Sequence, residues 1–435
     1  MKPWAHFLAA ALLAPLPSLS ADLSRTERRI VEDIDRHRDD LIALLERAVN
    51  IPSATENLDG VRTVGDLFAQ ELRGLGFTTT WVELPPETGR AGHLVAERAG
   101  KKGKGLLLIG HLDTVVEGES FRRDGDRGYG SGAADMKGGD AILIEALRAL
   151  QRVRALDDRP IIVVMTGDEE NPGTPHEVSR KALLDAARRS DIALAFEGAV
   201  PGVAVVGRRG IGSWRLEVTG SQGHSSGIFG SQRGSGAIFE AGRILSAFHD
   251  QLREPYLTYN PSLIVGGTDV EYDRATTRGT ASGKLNVVSK RVVVEGDLRF
   301  LSPEQLDRAR QRMRAIAAVN LPQTSAAISF QDGMPSMPPT DGNRALLRRL
   351  DQVSRDLGAE PIGEQDPSQR GAGDIAFVAD LVDGLDGLGA MGEQEHAPGE
   401  YVALDKLPLL TKRAALLIYR LTSPEPPAGR GRAAP

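Results

Sequence analysis

Residues 105–115 read GLLLIGHLDTV: four apolar residues in a row, Leu106 to Ile109, then a histidine and an aspartate two positions apart, His111 and Asp113. A short apolar run without polar alternation reads as a strand covered on both faces, the kind a helix-flanked parallel sheet contains. In open α/β sheets ligands bind beyond the carboxyl ends of the strands, so the residues ending such a run are the ones to watch. Alternation puts positions i and i+2 on the same side of a strand, which lets His111 and Asp113 meet.

Outward from this stretch, apolar runs alternate with helical segments. GHLVAE (92–97), a helix over 139–153, PIIVVMTG (160–167), a helix over 179–187 and DIALAFEG (191–198) follow one another. Upstream, residues 25–49 and 61–75 carry apolar positions at helical spacing and read as amphipathic helices. The pattern predicts an α/β catalytic domain on a mainly parallel sheet. After GVAVVGRRGIG the texture changes to SWRLEVTG, a helix over 235–251, PSLIVGGTDV, GKLNVVSKRVVVEGDLRF, a helix over 303–319 and SAAISFQDG. That order of strand, helix, strands, helix, strand predicts an inserted α+β, ferredoxin-like domain of four antiparallel strands with two helices on one face. Its expected bounds are 211–333, with catalytic parts at 21–210 and 334–421.

Composition narrows the chemistry. The 435 residues exceed what one core usually serves, so two domains are expected. A net charge of -6 gives no basic footprint for nucleic acid. With no cysteine, neither disulfides, thiolate metal sites nor a cysteine nucleophile are available, and any metal must rest on His, Asp and Glu. The N-terminus MKPWAHFLAAALLAPLPSLSADLS has Lys2, an apolar run over 7–16, and Ser18 and Ser20 before Ala21. Pro15 and Pro17 argue against an ordinary helix, and the run is too short to span a bilayer. It reads as a cleaved signal peptide, 1–20, sending a soluble chain to the periplasm or outside, with no membrane association once cleaved. Residues 422–435, rich in Pro, Gly and Arg, read as a disordered tail.

Several apolar runs end in ionisable residues. Beside His111 and Asp113 stand Asp168, Glu169 and Glu170 after IIVVMTG, and Glu197 after IALAF. Asp135 lies in GYGSGAADMKGGD before a helix, and His396 in GAMGEQEHAPGEY. Each piece alone has a bland reading: a hydrogen-bonded His-x-Asp pair, a solvated acidic helix start, a cap, a loop histidine. Together at one edge, such carboxylates would repel, and a cation is the natural compensation.

In order and context these motifs, GHLDTV (110–115), GSGAADMKGG (130–139), GDEE (167–170), AFEG (195–198) and EHAPGEY (395–401), resemble the dinuclear zinc metallopeptidases. That family includes glutamate carboxypeptidase, aminoacylase, acetylornithine deacetylase and succinyl-diaminopimelate desuccinylase, and the likeness spans nearly the whole mature chain. It implies a zinc-exopeptidase-type core with an inserted lid and dimerisation domain. It further implies one zinc on His111, Asp135 and Glu197, and another on Asp135, Glu170 and His396, with Asp135 bridging. Co2+ or Mn2+ suit such ligands as substitutes. Asp113 would orient His111, and Glu169 would take the proton of the attacking water and pass it to the leaving nitrogen. Two divalent cations, about +4, three ligating carboxylates, about -3, and one hydroxide come near neutrality. In such relatives the histidine matching His224, in TGSQGHSSG, reaches across a homodimer to stabilise the oxyanion. Asn286, Arg299 and Gly373, in the Gly-rich RGAGDIAF, match positions lining the substrate pocket.

Departures bear on substrate. Ser131 stands where the family often has Arg. GMPSMPPT (333–340) is apolar where glutamate-cleaving members tend to offer basic residues, so glutamate specificity is not expected. Arg208 and Arg209 in VGRRG fit either a carboxylate receptor or solvated hinge charges. The expected function is an exported carboxypeptidase-like amidohydrolase acting on a small peptide or N-acyl amino acid with a free carboxylate. The alternatives are an N-acyl amino acid deacylase and a catalytically inactive exported binding protein, whose mark would be a broken ligand set.

Overall fold

In the computed structural model, which describes residues 23–423, the chain enters through α1 (Arg25–Arg36), α2 (Arg38–Val49) and α3 (Leu58–Gly74). The proposed signal and residues 424–435 of the proposed tail lie outside the described residues. The single helix expected over 25–49 is two. At His37 the ring Nδ1 lies 2.8 Å from the Asp33 carbonyl and the backbone leaves helical geometry, a local competition that apolar spacing does not reveal. α1 starts on a capping box, with Ser24 and Glu27 each accepting the other's backbone N–H.

Next come β1 (Thr78–Val82), β2 (His93–Arg98), β3 (Leu106–His111), α4 (Gly138–Arg152), β4 (Ile161–Thr166), α5 (Lys181–Ala187) and β5 (Ile192–Ala195). All six residues of β3 and all six of β4 are buried, as their unbroken apolar runs require. Each Leu, Ile or Val so placed contributes roughly 1.5–3 kcal/mol of burial.

The chain then leaves for a second layer: β6 (Gly210–Gly220), α6 (Gly236–Gln251), β7 (Thr258–Gly267), β8 (Asp269–Asp273), β9 (Arg278–Ser282), β10 (Arg291–Phe300), α7 (Pro303–Ala318) and β11 (Thr324–Asp332). Its main sheet has the order β7-β10-β6-β11, antiparallel throughout. Trp214, Leu216 and Val218 alternate with outward residues and pack with Val292 and Val294 against Ala241, Ile244 and Phe248 of α6 and Met313 of α7. The run read as one strand over 261–270 instead breaks at Thr268, and β8 pairs with β9 in a hairpin the sequence pattern did not disclose. The entry and exit strands meet where Arg208 and Met337 exchange both backbone hydrogen bonds at 2.9 Å.

The return adds α8 (Asp341–Asp356), β12 (Asp383–Leu385) and α9 (Leu407–Leu421). The core sheet runs β1-β2-β4-β3-β5-β12; β4, β3, β5 and β12 are mutually parallel, while β2 runs antiparallel to both its neighbours, β1 and β4. Thr422 and Ser423, expected in the tail, hydrogen-bond with Arg159 and belong to the folded end. Among the described residues no helix is long and apolar enough to cross a membrane.

Candidate metal centre

The register of the parallel strands assembles the site. His111, the last residue of β3, lies opposite Thr166, the last of β4, and the Phe196 N–H donates to Ile109 across to β5. Three strands thus end level, and the residues after each end, Asp113, Glu169 and Glu170, and Glu197, converge. Asp135 arrives from a tight turn before α4. There Gly132 has φ +74°, and a Cβ on it would lie 2.4 Å from Thr114 Cγ2, so both backbone conformation and space call for glycine. At Gly139, the second residue of the helix, a Cβ would lie 2.0 Å from the Phe196 carbonyl, so glycine lets α4 approach β5.

Asp135 divides its carboxylate between two imidazoles: Oδ1 lies 3.2 Å from His111 Nε2 and Oδ2 lies 3.0 Å from His396 Nε2. Glu197 Oε1 is 3.7 Å from His111 Nε2, and Glu170 Oε2 is 3.2 Å from His396 Nε2. Two donor sets therefore share one carboxylate, and Glu170 Oε1 is buried without a hydrogen-bond partner. His111 is 1% exposed and His396 52%, so one set lies deep and the other opens to solvent. Glu169 Oε also falls within reach of His111 and Glu197, as a possible third donor beside them. Imidazole and carboxylate donors converging in this way fit divalent cations.

Asp113 meets His111 through its main chain as well as its carboxylate. The His111 ring Nδ1–H donates to the Asp113 main-chain carbonyl at 3.0 Å, with the carboxylate farther away at 3.6 Å. This leaves Nε2 facing Asp135 and Glu197. The Asp113 carboxylate also accepts the Thr55 hydroxyl at 2.7 Å and the backbone N–H groups of Glu169 and Glu170 at 3.0 and 3.2 Å. It thereby holds the loop that presents both glutamates.

Glu400 escaped the sequence reading although it lies inside the EHAPGEY motif. Buried, it accepts the N–H groups of Gly132, Ala134 and Asp135 at 2.7, 2.8 and 3.0 Å and so fixes the turn carrying the shared carboxylate. Glu400→Gln leaves an amide that cannot accept all three. Metal titration against a chelating dye should show affinity reduced roughly 10- to 100-fold, the usual size for a group supporting a ligand. Unchanged affinity would show the turn to be self-supporting.

The charges are perturbed as crowding predicts. Burial, followed by the neighbouring Glu197, holds the Glu169 carboxyl well above its usual range. Burial and the Asp135 charge push Glu197 up to about 8. Hydrogen bonds to Asp135 and Glu170 raise His396 to about 11, and against the cost of burial the surrounding carboxylates also raise His111. Without metal, each of these groups holds a proton in the fold that it releases on unfolding as pH rises above its ordinary value, 4.5 for Glu and 6.5 for His. Their stabilisation is full below those values and is lost as pH climbs through the raised ones. Lys137, lowered by burial to about 8, opposes this, but only above that pH. Chelator-treated protein should therefore melt lower at about pH 8 than at about pH 6.5, and added zinc should remove most of the difference by neutralising the carboxylates. A melting temperature that rises with pH in the metal-free chain would contradict this balance.

The remaining candidates lie apart from the cluster. His224 and Asn286 are exposed on the inserted domain, where the Ser225 N–H donates to the Asn286 carbonyl and His224 Nδ1 pairs with Ser226 Oγ at 2.8 Å. Within one chain neither joins the metal donors. Arg299, on β10, donates to Asp297 at 3.2 Å. Gly373 is buried, and a Cβ there would lie 2.9 Å from the Arg208 guanidinium carbon. The Arg208 side chain is buried: it pairs with buried Asp386 at 2.5 Å and donates to the Gly371 and Ala372 carbonyls, while its Nη2 has no hydrogen-bond partner among the described residues. Arg209, half-buried, donates to the Ser368 carbonyl and reaches Thr258, the strand partner of Arg299, whose charge it feels. Met337, the centre of GMPSMPPT, is fully buried in the core cluster with Val205 and Ile375, so packing accounts for its apolar character.

A carboxylate and imidazole cluster at the strand ends of an α/β core, with an inserted four-stranded domain, defines a metal-dependent hydrolase of the peptidase and amidohydrolase type. The pattern of Peptidase family M20/M25/M40 matches residues 107–420, and the chain belongs to that family. It is 26% identical over 441 residues, 97% of this chain and 99% of the relative, to carboxypeptidase G2 of Pseudomonas sp. (strain RS-16). It is 27% identical over 399 residues, 87% and 96% of the two chains, to succinyl-diaminopimelate desuccinylase of Gluconacetobacter diazotrophicus. Its fold resembles that of aminopeptidase PepT from Bacillus cereus (TM-score 0.71, 18% identity, 88% of this chain and 98% of that one). It also resembles the Bacillus subtilis YXEP protein, described as a dinuclear metal binding peptidase (TM-score 0.62, 15% identity, 89% and 99%).

Proposed function

We propose that the chain is an exported, zinc-dependent exopeptidase or amidohydrolase that cleaves the amide bond of a small peptide or N-acyl amino acid bearing a free carboxylate. The observation that carries this reading is the division of Asp135 between His111 and His396, with Glu197 and Glu170 completing two donor sets. His111, Asp135 and Glu197 would hold one zinc, and Asp135, Glu170 and His396 a second; Co2+ or Mn2+ would fit the same donors. When bound, the metals supply Lewis acidity for the scissile carbonyl and lower the pKa of the attacking water. Glu169 takes no side-chain hydrogen bond among the described residues, and burial raises its affinity for a proton. It receives the proton of that water and delivers it to the leaving nitrogen.

The adjoining cations Arg209 and Arg299 at the domain crossing support recognition of a carboxylate and favour a carboxypeptidase-like mode. N-acyl amino acid deacylation is the second reading, favoured by the desuccinylase relatives. His224 would serve the oxyanion from a second copy in a homodimer, because within its own chain it stands away from the donors. Export rests on the N-terminal signal pattern.

The test is to purify the mature chain, count bound metal, and screen dipeptides and N-acyl amino acids with and without chelator. About two metals per chain with chelator-sensitive cleavage of one substrate class is the expected result. Metal-free protein that cleaves nothing after zinc is restored would favour an inactive binding protein.

A further inference from the structure

Behind the metal donors lies a buried ionic cluster that the reaction as described does not use. Arg180, fully buried just before α5, donates from Nη1 to Asp168 Oδ1 at 2.5 Å and from Nη2 to the Asp168 carbonyl at 3.0 Å. On its other side its Nε lies 2.8 Å from Asp374 Oδ1. Asp374 in turn accepts the Thr166 hydroxyl at 2.5 Å through Oδ2, and the Phe377 ring lies 5.2 Å from the guanidinium carbon. Asp168 also accepts the Gly173 N–H at 2.8 Å.

The positions of the two carboxylates give the cluster its meaning. Asp168 immediately precedes Glu169, and Asp374 immediately follows Gly373. One guanidinium thus joins the loop that presents the proposed general base to the Gly-rich loop that the family resemblance assigns to the substrate pocket. Lysine could keep the charge, but it lacks the planar fork that holds the Asp168 carboxylate and carbonyl together while Nε pairs by charge with Asp374.

We propose that Arg180 is a positioning residue for hydrolysis, clamping the Glu169 loop to the Gly373 loop so that the base is held at a fixed distance from the bound amide. This rests on the function proposed above for Glu169 and on the contacts of Asp168 and Asp374. Asp113 fixes the same loop from the metal side, through the Glu169 and Glu170 N–H groups. The loop is therefore pinned at both flanks, and the Arg180 side connects it to the Gly373 loop.

The experiment uses Arg180→Lys, Asp374→Asn and the double variant, each checked for metal content and melting temperature. With the substrate found by the screen, Arg180→Lys should keep its metal, change KM less than about threefold, and lose roughly 10- to 100-fold in kcat, the size expected when a base is misplaced by a fraction of an ångström to about 1 Å. The double variant should lose no more than Arg180→Lys, since both cut one link. Unchanged kcat per metal-loaded chain, with only the melting temperature lowered, would show Arg180 to be merely structural. Fully additive losses would also overturn the clamp. The link can be read without any substrate: Asp374→Asn should speed hydrogen exchange of the Glu169, Glu170 and Gly173 amides about tenfold or more, although Asp374 lies in a different loop. No change in their exchange would overturn the proposal whether or not a substrate is found, whereas wild-type protein that binds metal but hydrolyses nothing would count against the proposed function alone.

Discussion

Glu169→Gln is expected to bind its full complement of metal, melt within a few degrees of the parent, and lose about 10²- to 10⁴-fold in kcat, the range that general acid–base catalysis supplies. The amide keeps the size of the carboxyl but can neither take the proton of the attacking water nor return it to the leaving nitrogen. Its backbone anchor is untouched, because the Glu169 N–H donates to Asp113 whatever the side chain. The measurement also decides between two roles that the geometry admits. Glu169 lies within reach of His111 and Glu197, so it has the position of a ligand as well as of a base. A fall in metal content parallel with the fall in activity would make it a ligand and require another base; retained metal with lost turnover makes it the base.

Asp135→Asn should have the other large effect. Asp135 faces both imidazoles, one with each oxygen, and the asparagine NH2 would present hydrogens where one of those oxygens stood. Metal content should fall from about two per chain toward one or none, and turnover to the level of a no-enzyme control. The Glu400 contacts should survive, since they engage main-chain N–H groups, so the variant should still fold. Two firmly held metals and full turnover in Asp135→Asn would refute a shared carboxylate.

How far the site could be read from the sequence differs residue by residue, for a physical reason. His111 ends a fully buried strand, and Glu169, Glu170 and Glu197 lie a few residues beyond two others, so an unbroken apolar run announces each of them. Asp135 and His396 sit in turns with no periodicity, and only their motifs disclosed them. Glu400, Thr55 and Arg180 carry no such mark. Glu400 acts on main-chain groups more than 260 positions away, and Arg180 joins two carboxylates that no local pattern connects. In the same way, the helix break at His37 and the β8–β9 hairpin come from local hydrogen bonding and pairing, to which a hydrophobic pattern is blind.

Read alone, the chain determined its layer architecture, the insertion between two halves of an α/β core, and the set of ionisable residues gathered at the strand ends. Apolar burial is periodic along a chain, so it is written in order and spacing. Only the tertiary structure decided that Asp135 is divided between two histidines and that Asp113 holds His111 by its carbonyl and the glutamate loop by its carboxylate. It also decided that Arg208 is buried against Asp386 while Arg209 feels the charge of Arg299. Those outcomes depend on which atoms of distant segments come within about 3 Å of each other, and hydrogen-bond geometry at that range is set by packing in three dimensions.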